Sequence, residues 1–397
     1  MWDGYRGRTR IPLTLGVAFL LSFSCLSPVQ DQALAGVASA EPPVVDRAID
    51  RLTVAGNEIL NANGDVVRLR GFNQSGTEYA CVEGNGIFDM PDGTDVASVV
   101  AAMAGWEGAN AVRVPLNEQC WLGLGVPKAM GGKAYRQAIV GYVRSLNEHG
   151  FVAVLDLHRS APGKAVSLSQ EQLPDRDHSP KFWRQVATVF RDFHSVVFDL
   201  FNEPYPYAEP DTWRAWKCWR EGGCTLTSTN GGGKYTAAGM NELIAAIRGV
   251  GAHNIVLAGG IFWAEVLDRW LEYRPVDTAN NLAASFHAYS FNTHCSSRSC
   301  YDKVLAAVAT RVPLFIGEIG PDLTIADIDK GCPVSALGKT GFDSAVLDWA
   351  DRHGASYTAW TWNPWPDCWA LVSNWSGAAT PLWGRLIRAR LAAQPPD

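Results

Sequence analysis

Two glutamates, each directly after a run of mainly apolar residues, are the side chains of this sequence best suited to chemistry. Glu203 ends the run Asp-Leu-Phe-Asn-Glu, and Glu318 ends the run Pro-Leu-Phe-Ile-Gly-Glu. Such a pair can break a glycosidic bond, because one carboxylic acid protonates the leaving oxygen while the other carboxylate attacks the sugar carbon or activates water. The pair predicts a glycosidase site, with an apolar strand positioning each carboxylate.

The elements that must position these glutamates recur along the chain as strands alternating with helices. We predict strands at residues 67–72, 111–116, 151–157, 196–201, 255–258, 282–286, 312–316 and 357–362. The clearer amphipathic helices are at 96–103, 135–149, 182–194, 237–249, 301–310, 342–353 and 383–391. Eight alternating strands predict a (β/α)₈ TIM barrel. Near the start, Thr53-Val54-Ala55 and Val66-Val67 flank Asn63-Gly64, a turn signal that predicts a short N-terminal β-hairpin able to plug one end of the barrel. A doubly wound sheet is the competing fold, but its glycine-rich first turn is missing, since Arg70-Gly71-Phe72 is not one.

Polar and aromatic residues concentrate at the ends of these predicted strands. The set is Arg113, Asp156, His158, Asn202, Glu203, His287, Tyr289, Glu318, Trp360 and Trp362. In a TIM barrel the active site lies at the carboxyl ends of the strands, so these side chains should converge there. A single histidine after a strand is more often a structural, hydrogen-bonded residue, but the whole set predicts an active site. Trp360 and Trp362 are expected to share a face, because strand side chains alternate.

The same motifs resemble glycoside hydrolase family 5, the cellulase-type family, from about Arg70 to Trp365. The motifs are Asn-Ala-Val-Arg-Val-Pro, Leu-Asp-Leu-His-Arg, Asn-Glu-Pro, Phe-His-Ala-Tyr, Gly-Glu-Ile-Gly and Trp-Thr-Trp-Asn-Pro, in this order. The resemblance implies a retaining β-glycosidase that works by double displacement, with Glu203 as the general acid/base and Glu318 as the nucleophile. Retention needs carboxyl groups only ~5–5.5 Å apart.

The resemblance also implies how the nucleophile is held. Arg113 would hydrogen-bond Glu318 and keep it ionised, and Tyr289 would donate to Glu318 from another side. Glu203 would remain protonated until the leaving group departs, and would then act as the base.

Substrate contacts follow from the resemblance as well. Asn202 would hold the sugar 2-hydroxyl, His158 would bind a hydroxyl at the cleavage subsite, and His287 would orient Glu203 or bind substrate. For the aromatic platform under the −1 sugar, Trp362 is the first choice and Trp360 the second. No metal and no organic cofactor is implied.

The substrate class is less well defined than the chemistry. We expect a β-1,4-linked glucan, as for an endoglucanase, with β-mannanase, exo-β-glucanase and glycolipid glycosidase as alternatives. After the fourth strand, Trp213, Trp216 and Trp219 are spaced by three and would line one helix face. They are either a wall of sugar-stacking rings or anchors of the loop. The run Gly231-Gly232-Gly233 is expected to be a flexible turn rather than a phosphate loop.

The first residues predict export. Arg6, Arg8 and Arg10 precede an uncharged, mostly apolar run at residues 11–23, and Ala38-Ser39-Ala40 is a plausible cleavage site, with Ala33-Leu34-Ala35 as an alternative. We expect a signal peptide at residues 1–40, a single catalytic domain at 41–397, and secretion of the mature chain. A lipid anchor at Cys25 is a weaker hypothesis, because the preceding Ser-Phe-Ser fits a lipoprotein motif poorly.

Cysteine usage agrees with an oxidising compartment. Apart from Cys25 the chain has eight cysteines, and an even number in a secreted chain predicts disulfides. Their places after neighbouring strands or within one loop favour the pairs Cys81–Cys120, Cys218–Cys224, Cys295–Cys300 and Cys332–Cys368. These bonds would tie the long loops that surround the site.

Other classes of protein fit poorly. The net charge is −6, and no Lys/Arg cluster suggests nucleic acid or an anionic membrane surface as a partner. We expect a monomer that binds a polysaccharide or oligosaccharide and does not insert stably into a membrane. A serine esterase would carry Gly-x-Ser-x-Gly, which is absent. No His-Glu-x-x-His pattern involves His158, His178, His194 or His287, which disfavours a metalloenzyme. A non-catalytic carbohydrate-binding barrel would lack one of the two glutamates.

Overall fold

A closed barrel of parallel strands positions the residues singled out above. The computed structural model describes residues 51–393 apart from 92, 208–210, 325, 328–337 and 339. In chain order the strands are β1 (Thr53–Ala55), β2 (Glu58–Leu60), β3 (Arg70–Asn73), β4 (Ala111–Asn117), β5 (Val152–Arg159), β6 (Val196–Asp199), β7 (Gly222–Thr227), β8 (Lys234–Ala238), β9 (Val256–Gly259), β10 (Leu282–Ala288), β11 (Leu314–Ile319) and β12 (Ser356–Ala359). The helices are Ala80–Glu83, Val96–Ala104, Glu118–Leu122, Lys133–Glu148, Ser179–Phe190, Trp213–Glu221, Met240–Arg248, Arg298–Cys300, Ala306–Ala309, Phe342–His353 and Trp383–Ala392, with a π-helix at Tyr301–Leu305.

The barrel strands follow one another around the ring as β3, β4, β5, β6, β9, β10, β11 and β12, and β12 pairs with β3 to close it. All of these pairings are parallel, which confirms the predicted (β/α)₈ TIM barrel. Two predicted strands extend beyond the point where the observed strands end. β6 ends at Asp199, before Glu203, and β12 ends at Ala359, before Trp360.

Alternation along each strand decides which side chains point into the barrel. On β5, Val152 and Val154 belong to the apolar cluster inside the barrel, whereas Ala153 and Leu155 belong to the cluster beneath the helices. Because side chains of one parity share a face, the inward series continues upward into Asp156 and His158. By the same rule, Arg113 on β4 points inward like Ala111, and Asp199 on β6 points inward like Val197. The lower barrel is thus apolar and its upper layer polar.

Glu318 reaches the interior through an irregularity in the sheet. Between β10 and β11, Phe286 pairs with Ile316 but His287 pairs with Glu318, so Gly317 is skipped. A β-bulge of this kind re-aims the residues beyond it. A Cβ at residue 317 would lie 3.0 Å from His287 Nε2 and 3.2 Å from Ser285 Oγ, so a side chain at this position would crowd both residues.

A short hairpin closes the lower end of the barrel, as predicted. β1 and β2 pair antiparallel across Gly56, and Leu52 and Ile59 pack into the cluster that fills the barrel interior. The predicted turn was misplaced, however. Asn63-Gly64 leads only to an isolated bridge between Leu60 and Val66, whereas Gly56, at φ 63°, lies in the turn that joins the two strands.

Disulfides tie the loops at the upper end of the barrel. Cys81 bonds to Cys120, Cys218 to Cys224 and Cys295 to Cys300, as predicted. Cys368 is also disulfide-bonded. Its predicted partner Cys332, the predicted signal peptide and Cys25 lie outside the described residues.

The insert after β6 carries an element that the sequence analysis missed. The helix Trp213–Glu221 is followed by an antiparallel pair, β7 and β8, whose connection contains the glycine run at 231–233. Trp216 and Trp219 are fully buried, and Trp216 stacks on Tyr273 with ring centroids 6.0 Å apart. These two rings therefore anchor the loop, whereas Trp213 is 62% exposed.

The described residues belong to one compact unit, Arg47–Asp397. None of the helices seen in this part of the chain has both the length and the apolar composition that a membrane crossing requires.

Candidate active site

Glu203 and Glu318 meet at the upper end of the barrel, on either side of one histidine. His287 Nδ1 lies 3.0 Å from Glu203 Oε1 and 3.7 Å from Glu318 Oε2. One oxygen of each carboxylate lies within 4.8 Å of the other and of the imidazole. The side chains are 16% exposed for Glu203 and 5% exposed for Glu318. The two carboxylates are therefore close together but differ in access to solvent.

Glu318 is held by two donors, one on each oxygen. Arg113 Nη1 donates to Oε1 at 2.9 Å, and the Tyr289 hydroxyl donates to Oε2 at 2.5 Å. Burial, together with the charges of Glu318 and Glu203, raises the pKa of Tyr289 well above its usual value. The phenol therefore keeps its proton and remains a donor.

Arg113 connects four strand ends through a single buried guanidinium. Besides Glu318, its nitrogens contact Asp199 Oδ2 at 2.9 Å, Asn202 Oδ1 at 2.9 Å, Asn73 Oδ1 at 3.1 Å and Asp156 Oδ2 at 3.1 Å. Burial raises the pKa of Asp156 to about 7 and that of Asp199 to about 7, although the Arg113 charge opposes the shift. Arg113 itself is fully buried, and its guanidinium contacts these side chains.

Glu203 is oriented from two directions. Burial lowers the pKa of His287 to about 3, so its ring is neutral at pH 7 and its Nδ1 can donate to Glu203 Oε1. On the backbone side, Gln170 Nε2 donates to the Glu203 carbonyl at 2.6 Å, and Asn202 Nδ2 donates to Gln170 Oε1 at 2.5 Å. Gln170, from the loop after β5, thus contacts both the Asn202 side chain and the Glu203 backbone.

His158 and Trp360 form one wall of the site. Their rings stack with centroids 5.8 Å apart and planes 19° apart, and His158 Nδ1 lies 2.6 Å from Asp156 Oδ2. Burial lowers the pKa of His158, which favours the neutral ring. Trp360 is partly buried and packs with the cluster that contains Tyr289 and Trp369.

The first choice for the aromatic platform, Trp362, is wrong. Its side chain is completely buried and packs against Phe72 at 4.6 Å and Trp106 at 4.8 Å between ring centroids. The expectation that Trp360 and Trp362 share a face fails because β12 ends at Ala359. Trp360, the second choice, is the ring placed beside His158 and Tyr289.

Four residues that help to build the site were missed by the sequence analysis. Asp199 and Asn73 carried a usable signal, since Asp199 lies within a predicted strand, Asn73 directly follows one, and each has the inward parity. Gln170 and Glu265 lie in loops and carried none. Glu265 follows three consecutive residues with positive φ, Phe262 to Ala264, and burial, aided by the Glu203 charge, raises its pKa to about 8.

Two groups of described side chains are close enough to share a metal ion. One consists of Glu203, His287 and Glu318, and the other of Glu118, Asp175 and His178. In the first group both oxygens of Glu318 already accept hydrogen bonds from Arg113 and Tyr289. The hydrogen bonds of Glu318 are therefore made by protein donors among the described residues.

A (β/α)₈ barrel that brings two glutamates together at the carboxyl ends of β6 and β11 has the architecture of a barrel-type glycoside hydrolase. The family model for cellulase (glycosyl hydrolase family 5) matches residues 60–365. The chain therefore belongs to glycosyl hydrolase family 5.

Individual relatives are distant. Endoglucanase CelA of Streptomyces lividans is 25% identical over 235 residues, which cover 58% of this chain and 41% of that protein. Endoglucanase MaCel5A of a Microbulbifer species is 22% identical over 329 residues, covering 79% of this chain and 51% of that protein. The chain thus spans about half, or less, of the length of these curated relatives.

Solved structures share the fold. The β-glucanase SdGluc5_26A of Saccharophagus degradans, solved in complex with cellotetraose, has a TM-score of 0.64 at 18% identity, covering 89% of this chain and 97% of its own. The catalytic domain of Thermobifida fusca endoglucanase Cel5A has a TM-score of 0.59 at 16% identity, covering 87% and 98%. At this identity the likeness concerns the fold.

Proposed function

We propose that this protein is a secreted, retaining β-glycoside hydrolase that cleaves β-1,4-linked glucan by double displacement. The observation that carries the proposal is the pair of glutamates, with oxygens within 4.8 Å of one another and with unlike surroundings. Retaining enzymes place their carboxyl groups ~5–5.5 Å apart, whereas inverting enzymes leave room for water at roughly 6.5–9.5 Å. The short separation therefore favours direct attack on the sugar.

The surroundings assign the two roles. Glu318 accepts hydrogen bonds from Arg113 and Tyr289 on its two oxygens, which stabilises the carboxylate that a nucleophile needs. Glu203 is the more exposed of the two and faces a neutral His287, so it is the carboxyl better placed to give a proton to the leaving oxygen.

The reaction then proceeds in two displacements. Glu318 attacks the anomeric carbon while Glu203 protonates the departing oxygen, which leaves a glycosyl ester on Glu318. Forming the ester removes the charge of Glu318, so Glu203 ionises more readily and can take a proton from the incoming water. Water attack from the face that the leaving group vacated restores the original anomeric configuration.

Three residues would hold the −1 sugar. Asn202 Oδ1 accepts a hydrogen bond from Arg113, and one Nδ2 hydrogen is donated to Gln170. We assign the other Nδ2 hydrogen as the donor to the sugar 2-hydroxyl. Trp360 would lie under the apolar face of the ring, and His158, stacked beside it, would contact a hydroxyl.

The substrate and the location rest on separate support. The relatives are named as endoglucanases, and one structure with a similar barrel is a β-glucanase solved in complex with cellotetraose. The N-terminal segment has the features of a signal peptide, and disulfides form in oxidising compartments. We propose that the mature chain acts outside the cell as a monomer.

The test has two parts. Reducing-sugar release from β-1,4-glucan, β-mannan and xylan identifies the substrate class, with Glu318→Gln as the inactive control. Release from mannan alone would mean that the substrate is β-mannan and not β-1,4-glucan.

The second part follows hydrolysis of an aryl β-cellobioside whose leaving group needs no proton. Glu203→Ala should form the glycosyl ester quickly, and azide should then yield the β-glycosyl azide. An α-configured first product of the wild-type enzyme, observed by NMR, would overturn the retaining mechanism.

A further inference from the structure

A second acidic cluster lies in the loops after β4 and β5 and has no part in the proposed reaction. Glu118 begins the helix that follows β4, and Asp175, Asp177 and His178 precede the helix Ser179–Phe190. Glu118 and Asp175 are completely buried, whereas the Asp177 and His178 side chains are 51% and 19% exposed. The cluster thus extends from the interior to the solvent.

One atom in this cluster lacks the partner that burial demands. Glu118 Oε2 accepts from Ser179 Oγ at 2.6 Å, and the carboxyl groups of Glu118 and Asp175 contact each other, but the buried Oε1 has no donor in full hydrogen-bonding geometry among the described residues. A buried carboxylate oxygen without a donor is costly, and such atoms in native proteins usually have a water or an ion as partner.

The other polar atoms converge on the same point. His178 Nδ1 lies 3.9 Å from Glu118 Oε1, 3.8 Å from Asp175 Oδ1 and 3.7 Å from Asp177 Oδ2. The Ala161 carbonyl oxygen is 2.8 Å from the same nitrogen. Ligands that share a metal ion at about 2.0–2.5 Å from it are separated by such distances.

From this convergence we propose that the cluster binds one divalent metal ion, with Glu118, Asp175 and His178 as ligands and with Asp177 and the Ala161 carbonyl at its rim. The imidazole and carboxylate donors suit Mn²⁺ or Zn²⁺ better than Mg²⁺, which prefers oxygen alone. His178 binds through the Nδ1 lone pair, so the proton moves to Nε2 when the ion enters.

The charges of the cluster agree with this assignment. Glu118 and Asp175 are completely buried carboxyl groups, and Asp177 adds a third carboxyl group beside the same histidine. Carboxylates packed this closely need either protons or a cation between them. A divalent ion neutralises both and satisfies Glu118 Oε1.

The ion would join two loops around the barrel mouth. Glu118 belongs to the loop after β4 and Asp175 to the loop after β5. Asp175 also forms a bridge with Ala237, and the Pro174 carbonyl accepts from Ala238 N at 2.8 Å, which connects the site to β8. Binding should therefore stabilise this side of the protein.

The experiment uses the untagged mature chain after treatment with a chelator. Calorimetric titration with Mn²⁺ and, separately, Zn²⁺ should give one equivalent bound for at least one ion, and a 100-fold excess over Kd should raise Tm by roughly 3 to 8 °C. Glu118→Gln and His178→Ala should each lose both effects, and His178→Ala alters a partly exposed side chain that folding tolerates.

Glu318→Gln is the control, because Glu203, His287 and Glu318 form the other potential site. It should bind the ion as the wild type does. Failure of every ion to bind, or loss of binding in Glu318→Gln with retention in Glu118→Gln, would overturn the proposal. None of these readouts depends on hydrolysis, so they are independent of the proposed function.

Discussion

Arg113 Nη1 lies 2.9 Å from Glu318 Oε1, and Nη2 of the same guanidinium lies 2.9 Å from Asn202 Oδ1, directly before Glu203 in the chain. One buried cation therefore sets the position of both glutamates. Because β6 and β11 are not neighbours in the barrel, no backbone pairing links them, and Arg113 from β4 provides a side-chain link.

We predict that Arg113→Lys lowers kcat by at least ~100-fold and destabilises the fold. Lysine keeps the charge but offers a compact ammonium that cannot reach the five partners of the guanidinium. Breaking a buried ion pair costs about 3–5 kcal/mol. Thermal melts and kcat on the preferred polysaccharide measure both effects. Arg269→Lys, at a surface pair with Glu272, is the matched control and should change neither.

The structure also predicts different consequences for two tryptophans on the chain after β12. Trp360→Ala should weaken substrate binding, so that KM rises or kcat/KM falls by ~10-fold or more. Its Tm should change little. Trp362→Ala should destabilise the fold by about 3–5 kcal/mol, because it opens a cavity between Phe72 and Trp106. A Trp362 variant with native stability and impaired binding would contradict the assignment.

These tryptophans show where prediction from sequence ends. The barrel and the glutamate positions follow from features that a sequence displays directly: apolar runs, their number, and polar residues at their ends. The direction of the Trp362 side chain depends on where β12 ends, and the inward direction of the Glu318 side chain depends on the bulge at Gly317. Both are decided by contacts with neighbouring strands, which a local pattern does not contain.

Loop residues show a second limit. Gln170 and Glu265 reach the site from loops whose course is set by the β7–β8 hairpin and by three residues in the left-handed region. No periodicity marks such residues. In contrast, Asp199 was predictable, because it has the inward parity of Val197.

The disulfides should differ in their effect on stability. Cys81 and Cys120 are 39 residues apart, whereas Cys218 and Cys224 are 6 apart. Closing a longer loop removes more entropy from the unfolded chain, about 4 kcal/mol for the first bond and about 2 kcal/mol for the second. Double alanine variants, compared by chemical denaturation, should show this order. Equal losses would indicate that native contacts, not loop length, dominate.

Glu265 predicts a pH dependence of stability. In the folded protein burial raises its pKa to about 8, from 4.5 in an exposed chain. Between these values the folded state holds a proton that the unfolded chain has released. The contribution of Glu265 to stability is therefore fully present below about pH 4.5 and is lost as the pH rises through 8, at up to ~1.4 kcal/mol per pH unit.

Glu265→Gln cannot ionise, so its free energy of unfolding should fall less steeply than that of the wild type between pH 6 and pH 8. The difference between the two curves should reach up to roughly 3 kcal/mol over this interval. Urea denaturation at several pH values measures it, with Glu221→Gln as a control for loss of a surface carboxylate. Glu118, Asp156, Asp175 and Asp199 also have raised pKa values and contribute to both curves, so only the difference reports on Glu265. Parallel curves would mean that Glu265 is solvated or paired more fully than its burial beside Glu203 implies.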